Sequence, residues 1–331
     1  MKILITSPYN QNCIKELEEK FAEVIYKPWK DNGRGFNENE LLSMLERYQV
    51  NGLITEVDDV SEKVINGYSK LSFIGVCRAN PINVDIIAAT AKNIPVFNTP
   101  ARNAQSVAEL FIGNVITFLR NVVPSNNWLR KGKWSEEALS AYLDFKGNEL
   151  AGKTVGFVGF GAVGQTIAKM IRHFPCNIKY YDPFLENVDD EYEGVELQQL
   201  FKSSDIVSIH LPVTDSTKNM INKDLLMLMK EDAVFVNTAR SAVVETNALI
   251  DVLSQRKIRG AILDVFDNEP PTERDYELIN LPNVLATPHI AGASYEVEDH
   301  HSLIMNQNLI GWVEENKTIN IFNQKQLLIK N

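Results

Sequence analysis

The string Gly159-Phe160-Gly161-Ala162-Val163-Gly164, set directly after the apolar run Val155-Gly156-Phe157-Val158, constrains this chain more than any other feature. Such a glycine string is a weak signal alone. Between a strand and the start of a helix it reads as a dinucleotide-binding turn. Gly159 permits the tight turn, Gly161 lets backbone approach a pyrophosphate, and Gly164 allows close helix–strand packing. The amides of Ala162 and Val163 then face the anion at a helix N-terminus, where unpaired N–H groups favour negative charge. An acidic partner is expected about 20 residues further on. Asp182, 18 residues after Gly164, ends the run Lys179-Tyr180-Tyr181-Asp182. Its carboxylate can accept both adenosine ribose hydroxyls and repels the 2′-phosphate of NADP. Pro183 follows, so no Arg stands next to Asp182 to receive that phosphate, and the sequence favours NAD. The competing reading, a glycine-rich turn with a surface Asp, does not explain why strand, helix and acid occur together.

A chain of 331 residues is long enough for about two domains. The 33 Lys and Arg against 43 Asp and Glu give a net charge of −10, which makes it a poor generic binder of nucleic acid or anionic membrane. Cys13, Cys77 and Cys176 are too widely spaced for a zinc or redox motif. The first apolar run, Ile3–Ile5, is too short for a signal peptide, and no stretch approaches membrane-span length. The expected setting is the cytoplasm.

Strand and helix patterns alternate along the chain. In the N-terminal third, strands are expected at Ile3–Ile5, Val24–Tyr26, Gly52–Ile54, Phe73–Val76 and Val96–Phe97. Helices are expected at Ile14–Phe21, Glu40–Tyr48 and Val84–Lys92. Asn103–Leu119 reads as a longer apolar helix, and 121–150 as a connector with some helix. A second alternation starts at Lys153, with strands at Val155–Val158, Ile178–Tyr181, Ile206–Ile209, Ala233–Asn237, Gly260–Val265 and Val284–Ala286. The last helix is expected over Tyr295–Glu315. The fold class is therefore α/β: two doubly wound parallel-sheet domains, Rossmann-like and flavodoxin-like, with an interdomain cleft. Ligands of open α/β sheets bind outside the C-terminal strand ends.

Three segments that follow strand candidates carry reactive residues: Asn237–Ser241, Asp264–Pro271 and Thr287–Gly292. Hydride transfer to a 2-oxo acid needs a cation for the carboxylate and carbonyl, an acid for the developing alkoxide, and a carboxylate to orient that acid. Arg240, His289 and Glu269 could supply these in turn. Spacing alone leaves the bland readings open: an ion-paired surface Arg, a hydrogen-bonded turn His, and a solvated Asn-Glu-Pro-Pro loop.

The ordered motifs resemble the D-isomer-specific 2-hydroxyacid dehydrogenase family over nearly the whole chain. They are Asn98–Glu109, Gly159–Gly164 with Asp182, His210-Leu211-Pro212 with Thr217-Lys218-Asn219-Met220, Asn237–Arg240, Asp264–Pro270 and Thr287–Gly292. The resemblance implies that Arg240, Glu269 and His289 are the catalytic Arg, Glu and His. It implies that His210, Leu211, Pro212, Thr217, Thr238, Ala239, Asp264 and Gly292 line the NAD site, with Asp264 accepting from the nicotinamide carboxamide. It implies a homodimer joined through the nucleotide domain. It also implies that the NAD-binding Rossmann domain, 101–292, interrupts a catalytic domain built from 1–100 and 293–331.

The substrate loop of that family matches Val76-Cys77-Arg78-Ala79-Asn80-Pro81, and the resemblance places Arg78, Ala79, Asn80 and Asn103 at the substrate with Arg240. The family commonly has small glycine-rich residues where this chain has Arg78 and Asn80. Arg78 either adds a charge contact for an acidic or phosphorylated substrate or forms a surface or interdomain pair. Phosphoglycerate dehydrogenases are similar too, but they commonly place an Arg where this chain has the acidic Glu56-Val57-Asp58-Asp59. A phosphoglycerate substrate, with Arg78 or Arg102 as phosphate ligand, remains the second reading. A nucleotide-sensing corepressor-like protein is a third, from another class. The five histidines show no metal-ligand spacing, so no metal is expected. His300-His301 reads as a surface pair on the last helix.

Overall fold

The computed structural model describes residues 1–331 except 22, 135–137, 186–187, 190 and 329–331. The connector expected over 121–150 and the segment expected over 293–331 fall partly outside the described residues. The chain divides into two compact units, Met1–Asn103 with Ser294–Asn331, and Ala104–Ala293.

The first unit is built on five parallel strands in the order β2-β1-β3-β4-β5. These are β1 (Lys2–Ile5), β2 (Glu23–Tyr26), β3 (Gly52–Thr55), β4 (Phe73–Val76) and β5 (Val96–Asn98). Ile3, Leu4, Ile5, Leu53, Ile54, Phe73, Ile74 and Val96 are all fully buried. Continuous rather than alternating burial is what a parallel strand covered on both faces requires. The helix Glu38–Tyr48 covers one face through Leu41 and Leu45. Its start is fixed by a capping box: Asn37 accepts from the Asn39 and Glu40 amides, and Glu40 returns to the Asn37 amide. The long helix Glu296–Glu315 covers the other face, with Met305 and Leu309 against Ile3, Ile5, Phe73 and Phe97. Gly75 makes this possible, since a Cβ there would stand 2.7 Å from the Met305 sulfur.

The unit boundary falls after residue 103 rather than 100 because 98–102 is tied to the first sheet. The Asn98 amide donates to Asn320 O, the Thr99 amide to Arg78 O, and Arg102 pairs with Glu56.

The second unit holds seven parallel strands in the order β12-β11-β10-β9-β6-β7-β8. They are β6 (Thr154–Val158), β7 (Asn177–Tyr181), β8 (Glu193–Gly194), β9 (Ile206–Ile209), β10 (Val234–Asn237), β11 (Gly260–Leu263) and β12 (Val284–Ala286). The strand order reverses between β6 and β9, which is the switch point where a doubly wound sheet opens a crevice. Helix Ala104–Leu119 packs Phe111 and Val115 on the β6 core. It meets helix Val122–Arg130 at a 62° bend, and among the described residues no single helix is long and apolar enough to cross a membrane.

The structure adds short elements that the periodicity does not reveal. Helices Glu62–Gly67 and Glu273–Ile279 and the 3-10 turn Trp29–Asn32 are each too short to show a helical repeat. The second does carry a local sign: Thr272 and Asp275 form a capping box, and the four-residue pattern is visible in the sequence.

Candidate active site

The C-terminal ends of β6, β7 and β9 come together at the glycine turn. Gly159 has φ +85°, and its amide donates to Tyr181 O at 2.8 Å. A Cβ on Gly159 would lie 2.6 Å from the His210 carbonyl oxygen, so both its conformation and its neighbour demand glycine. Gly164 sits beside the Gly159 carbonyl, where a Cβ would be 3.0 Å away. Gly161 differs: a Cβ there would meet nothing within 4 Å. No protein atom explains that glycine, and the open space lies at the start of helix Ala162–Ile171, where the Ala162 and Val163 amides have no intrahelical acceptor. Asp182 turns one carboxylate oxygen to the Phe160 amide at 2.9 Å and the other to the Phe184 amide at 3.1 Å. Each oxygen keeps a lone pair for a ribose hydroxyl. Turn, open glycine and braced acid fit a dinucleotide, and these residues would hold it.

Beyond β9, the His210 amide donates to Val158 O. The half-buried His210 ring lies against Phe157, with Nε2 2.8 Å from the Ser208 hydroxyl, and desolvation pushes its pKa down to about 3. The ring is therefore neutral. Leu211 is half-buried and Pro212 exposed. The Thr217 hydroxyl donates to Pro212 O at 2.6 Å and accepts from the Thr214 amide, which closes the following turn.

At the end of β10, Asn237 braces the next three residues. Its Oδ1 accepts from the Ala239 amide at 3.0 Å and its Nδ2 donates to Arg240 O at 2.9 Å. Thr238 is buried, and its hydroxyl has no partner among the described residues. The Arg240 side chain is exposed and, among the described residues, donates only to Ala239 O.

The structure brings Glu269 and His289 into contact. His289 Nδ1 is 2.6 Å from Glu269 Oε2, and Glu269 Oε1 accepts from the Phe266 amide at 3.2 Å. The pair is partly exposed, and His289 Nε2 has no partner among the described residues. His289 has φ +52°, an uncommon conformation for a residue with a side chain. Asp264 holds it there from beneath. The Asp264 carboxylate accepts from the Thr287 hydroxyl at 2.5 Å, the Ile290 amide at 2.9 Å and the Ala291 amide at 2.8 Å. Asp264 is fully buried, so in this structure its carboxylate anchors the histidine loop and reaches no open surface. Gly292, half-buried, ends that loop.

In the first unit, Arg78 is half-buried while Ala79 and Asn80 are exposed after β4. Asn103 is half-buried at the end of the unit. Cys77 is a fully buried thiol that burial pushes up to about 12, consistent with packing rather than reaction. The surface reading of His300-His301 needs correction. His301 is fully buried: Nε2–H donates to Pro8 O at 2.7 Å, so Nδ1 accepts from Arg102 at 3.0 Å. Burial lowers its pKa first of all, in keeping with a neutral ring. Adjacent residues do point apart on a helix, but here the His301 side faces the sheet. Among the described residues no group of His, Cys, Asp or Glu could hold a metal ion.

Sequence reasoning gave no role to Asn237, although it begins one of the named segments, and passed over Ser208. Asn237 had a sign, since an Asn whose side chain bonds the amide two residues on is a recurrent turn former. Ser208, inside a strand, had none.

A family model described as "D-isomer specific 2-hydroxyacid dehydrogenase, NAD binding domain" matches residues 112–291. The chain belongs to the D-isomer specific 2-hydroxyacid dehydrogenase family. It is 55% identical over 321 residues to the Bacillus subtilis (strain 168) protein named "Putative 2-hydroxyacid dehydrogenase YoaD", covering 97% of this chain and 93% of that one. It is 35% identical to a glyoxylate reductase of Thermococcus litoralis, covering 98% of each. A solved D-2-hydroxyisocaproate dehydrogenase shares the fold with a TM-score of 0.81 at 24% identity, over 97% of this chain and 99% of that one. Membership makes this chain an NAD-dependent oxidoreductase acting on the CH–OH group of 2-hydroxy acids.

Proposed function

We propose that His289 is the general acid that protonates the carbonyl oxygen of a 2-oxo acid during reduction, and the base in the reverse direction. Glu269 orients it, and Arg240 binds the substrate carboxylate and carbonyl. The observation that carries this reading is the 2.6 Å contact between His289 Nδ1 and Glu269 Oε2. A carboxylate on Nδ1 fixes the tautomer and leaves Nε2, which has no partner among the described residues, to exchange the proton. Bound NADH supplies the hydride. Arg240 is free for substrate because its one side-chain hydrogen bond among the described residues is to its neighbour's carbonyl, and a planar guanidinium matches a carboxylate bidentately. The test is NADH oxidation by the purified protein over a panel of 2-oxo acids. Absence of turnover on all of them, with NADH still bound, would overturn the reading and favour a nucleotide sensor. The phosphoglycerate alternative loses support in Arg102, whose guanidinium is taken up by Glu56 at 2.7 Å.

Asp182 selects the cofactor. Hydrogen bonds to a charged group contribute about 1.5–3 kcal/mol. Asp182→Ala is therefore expected to weaken NADH binding by roughly 10–100-fold in a fluorescence titration, with NADPH affected less. An unchanged NADH affinity would remove Asp182 from the site.

We further propose a cytoplasmic homodimer joined through the second unit. Leu139, Tyr142 and Leu143 are 75%, 69% and 67% exposed on helix Ala138–Asp144, and Leu129 is 51% exposed on helix Val122–Arg130. Clustered apolar exposure of this kind marks an interface. Leu139→Lys combined with Tyr142→Glu is expected to shift the mass measured by light scattering from dimer to monomer. A monomeric wild type would refute the proposal.

A further inference from the structure

Glu269 stands on an exposed loop, and that loop gives its carboxylate one hydrogen bond, from the Phe266 amide at 3.2 Å. Fixing a long, unbranched side chain of this kind costs up to about 2 kcal/mol of rotamer entropy. The 2.6 Å contact with His289 Nδ1 therefore depends on how firmly the backbone presents the side chain. That backbone is the run Asn268-Glu269-Pro270-Pro271-Thr272. The two prolines fix their own φ angles. The ends of the run, Asn268 and Thr272, then set where Glu269 stands.

Both ends converge on one side chain. Asp275 lies in the first turn of helix Glu273–Ile279 and is only 5% exposed. Its Oδ2 accepts from the Thr272 amide at 2.8 Å, the Thr272 hydroxyl at 2.7 Å and Asn268 Nδ2 at 3.0 Å. Its Oδ1 accepts from the Asn268 amide at 3.4 Å. Burial pushes the Asp275 carboxyl up, but these hydrogen bonds outweigh it and hold the pKa down at about 2, so the acceptor is charged at neutral pH. Capping of the helix accounts for the bonds to Thr272. It does not account for the bonds to Asn268, which lies outside the helix and directly before Glu269.

We propose that Asp275 is a positioning residue for catalysis: it ties together the two ends of the run that carries Glu269, and so keeps the Glu269 carboxylate on His289 Nδ1. The inference rests on the roles given to Glu269 and His289 above. It adds a buried residue that acts only through Glu269.

The experiment measures NADH oxidation with the panel acid of highest kcat/KM in Asp275→Ala, Asp275→Asn and Asn268→Ala, each alone and combined with Glu269→Ala. Asp275→Ala is expected to lower kcat by roughly 10–100-fold, since about 1 Å of misplacement can cost that much. The KM of the acid and the NADH affinity, read by fluorescence, should stay within about threefold, as for a loss confined to the transition state. Asp275→Asn should recover most of kcat, because Oδ2 takes the three shorter hydrogen bonds and an amide carbonyl can replace it. Asn268→Ala leaves the Thr272 cap in place and should give a smaller loss than Asp275→Ala, and it carries the test if Asp275→Ala does not fold. In the Glu269→Ala background, which has no carboxylate left to place, neither substitution should lower kcat much further. Three results overturn the inference while leaving the roles of Glu269 and His289 intact. They are a lowered Tm with full kcat well below it, a loss carried by KM, or losses that multiply fully with Glu269→Ala. Full kcat in Glu269→Ala by itself overturns the role of Glu269, and this inference with it.

Discussion

Replacing His289 with glutamine is expected to lower kcat for 2-oxo acid reduction by ~10²–10⁴-fold, the usual contribution of a positioned general acid. NADH affinity should change little, because the turn, the helix start and Asp182 that hold the dinucleotide lie on other strand ends. KM should also stay within a few fold if Arg240 carries the carboxylate. The mechanism distinguishes two kinds of failure. Glu269→Gln keeps a hydrogen-bond partner of the same shape at 2.6 Å from Nδ1 but removes its charge. It should give a smaller loss than His289→Gln, and the two losses should not add, since they act through one imidazole. Steady-state kinetics of the two single variants and the double variant decide the matter. Turnover that survives His289→Gln would show that another group delivers the proton, and additive losses would show that Glu269 acts independently of the ring.

Asp264→Asn should be nearly as damaging, although the residue touches no open surface. The carboxylate receives three hydrogen bonds from the 287–291 loop. Asparagine keeps one acceptor oxygen and points an N–H₂ at a donor, so at least one buried amide loses its partner. The cost is about 2–4 kcal/mol, which corresponds to a fall of roughly 4–16 °C in Tm for a unit of this size. The loss should also reach catalysis. His289 has φ +52°, and a conformation of this kind persists only where its surroundings over-determine it. The Ile290 and Ala291 amides, held by Asp264, are what fix the backbone immediately after the histidine. Calorimetry together with kcat at a temperature well below the new Tm separates the two effects. A stable variant with full kcat would show that the loop holds His289 without its anchor. Weakened NADH binding with an unchanged Tm would return Asp264 to the nicotinamide carboxamide.

The sequence by itself determined the strands and their sidedness. Runs such as Ile3–Ile5 and Val234–Asn237 are buried on both faces, and a continuous apolar run between turn residues is legible without a structure. It also determined the glycine turn, because glycines at this spacing between an apolar strand run and a helix start are legible in the sequence, while the φ of +85° at Gly159 and the nearby His210 O are what the structure adds. Short elements such as Glu62–Gly67 and Glu273–Ile279 were beyond a periodicity argument. What only the tertiary structure decided are the contacts between residues far apart in the chain. Glu269 and His289 are 20 residues apart and Arg102 and His301 are 199 apart, yet each pair is within 3.0 Å. A sequence pattern reports which side of an element faces a core. It cannot report which distant side chain that core supplies, so His301 read as surface while it is sealed against Arg102 and Pro8 O. The buried Nε of Arg78, without a partner among the described residues, belongs to the same class, since an unmet hydrogen bond is a property of the packed neighbourhood.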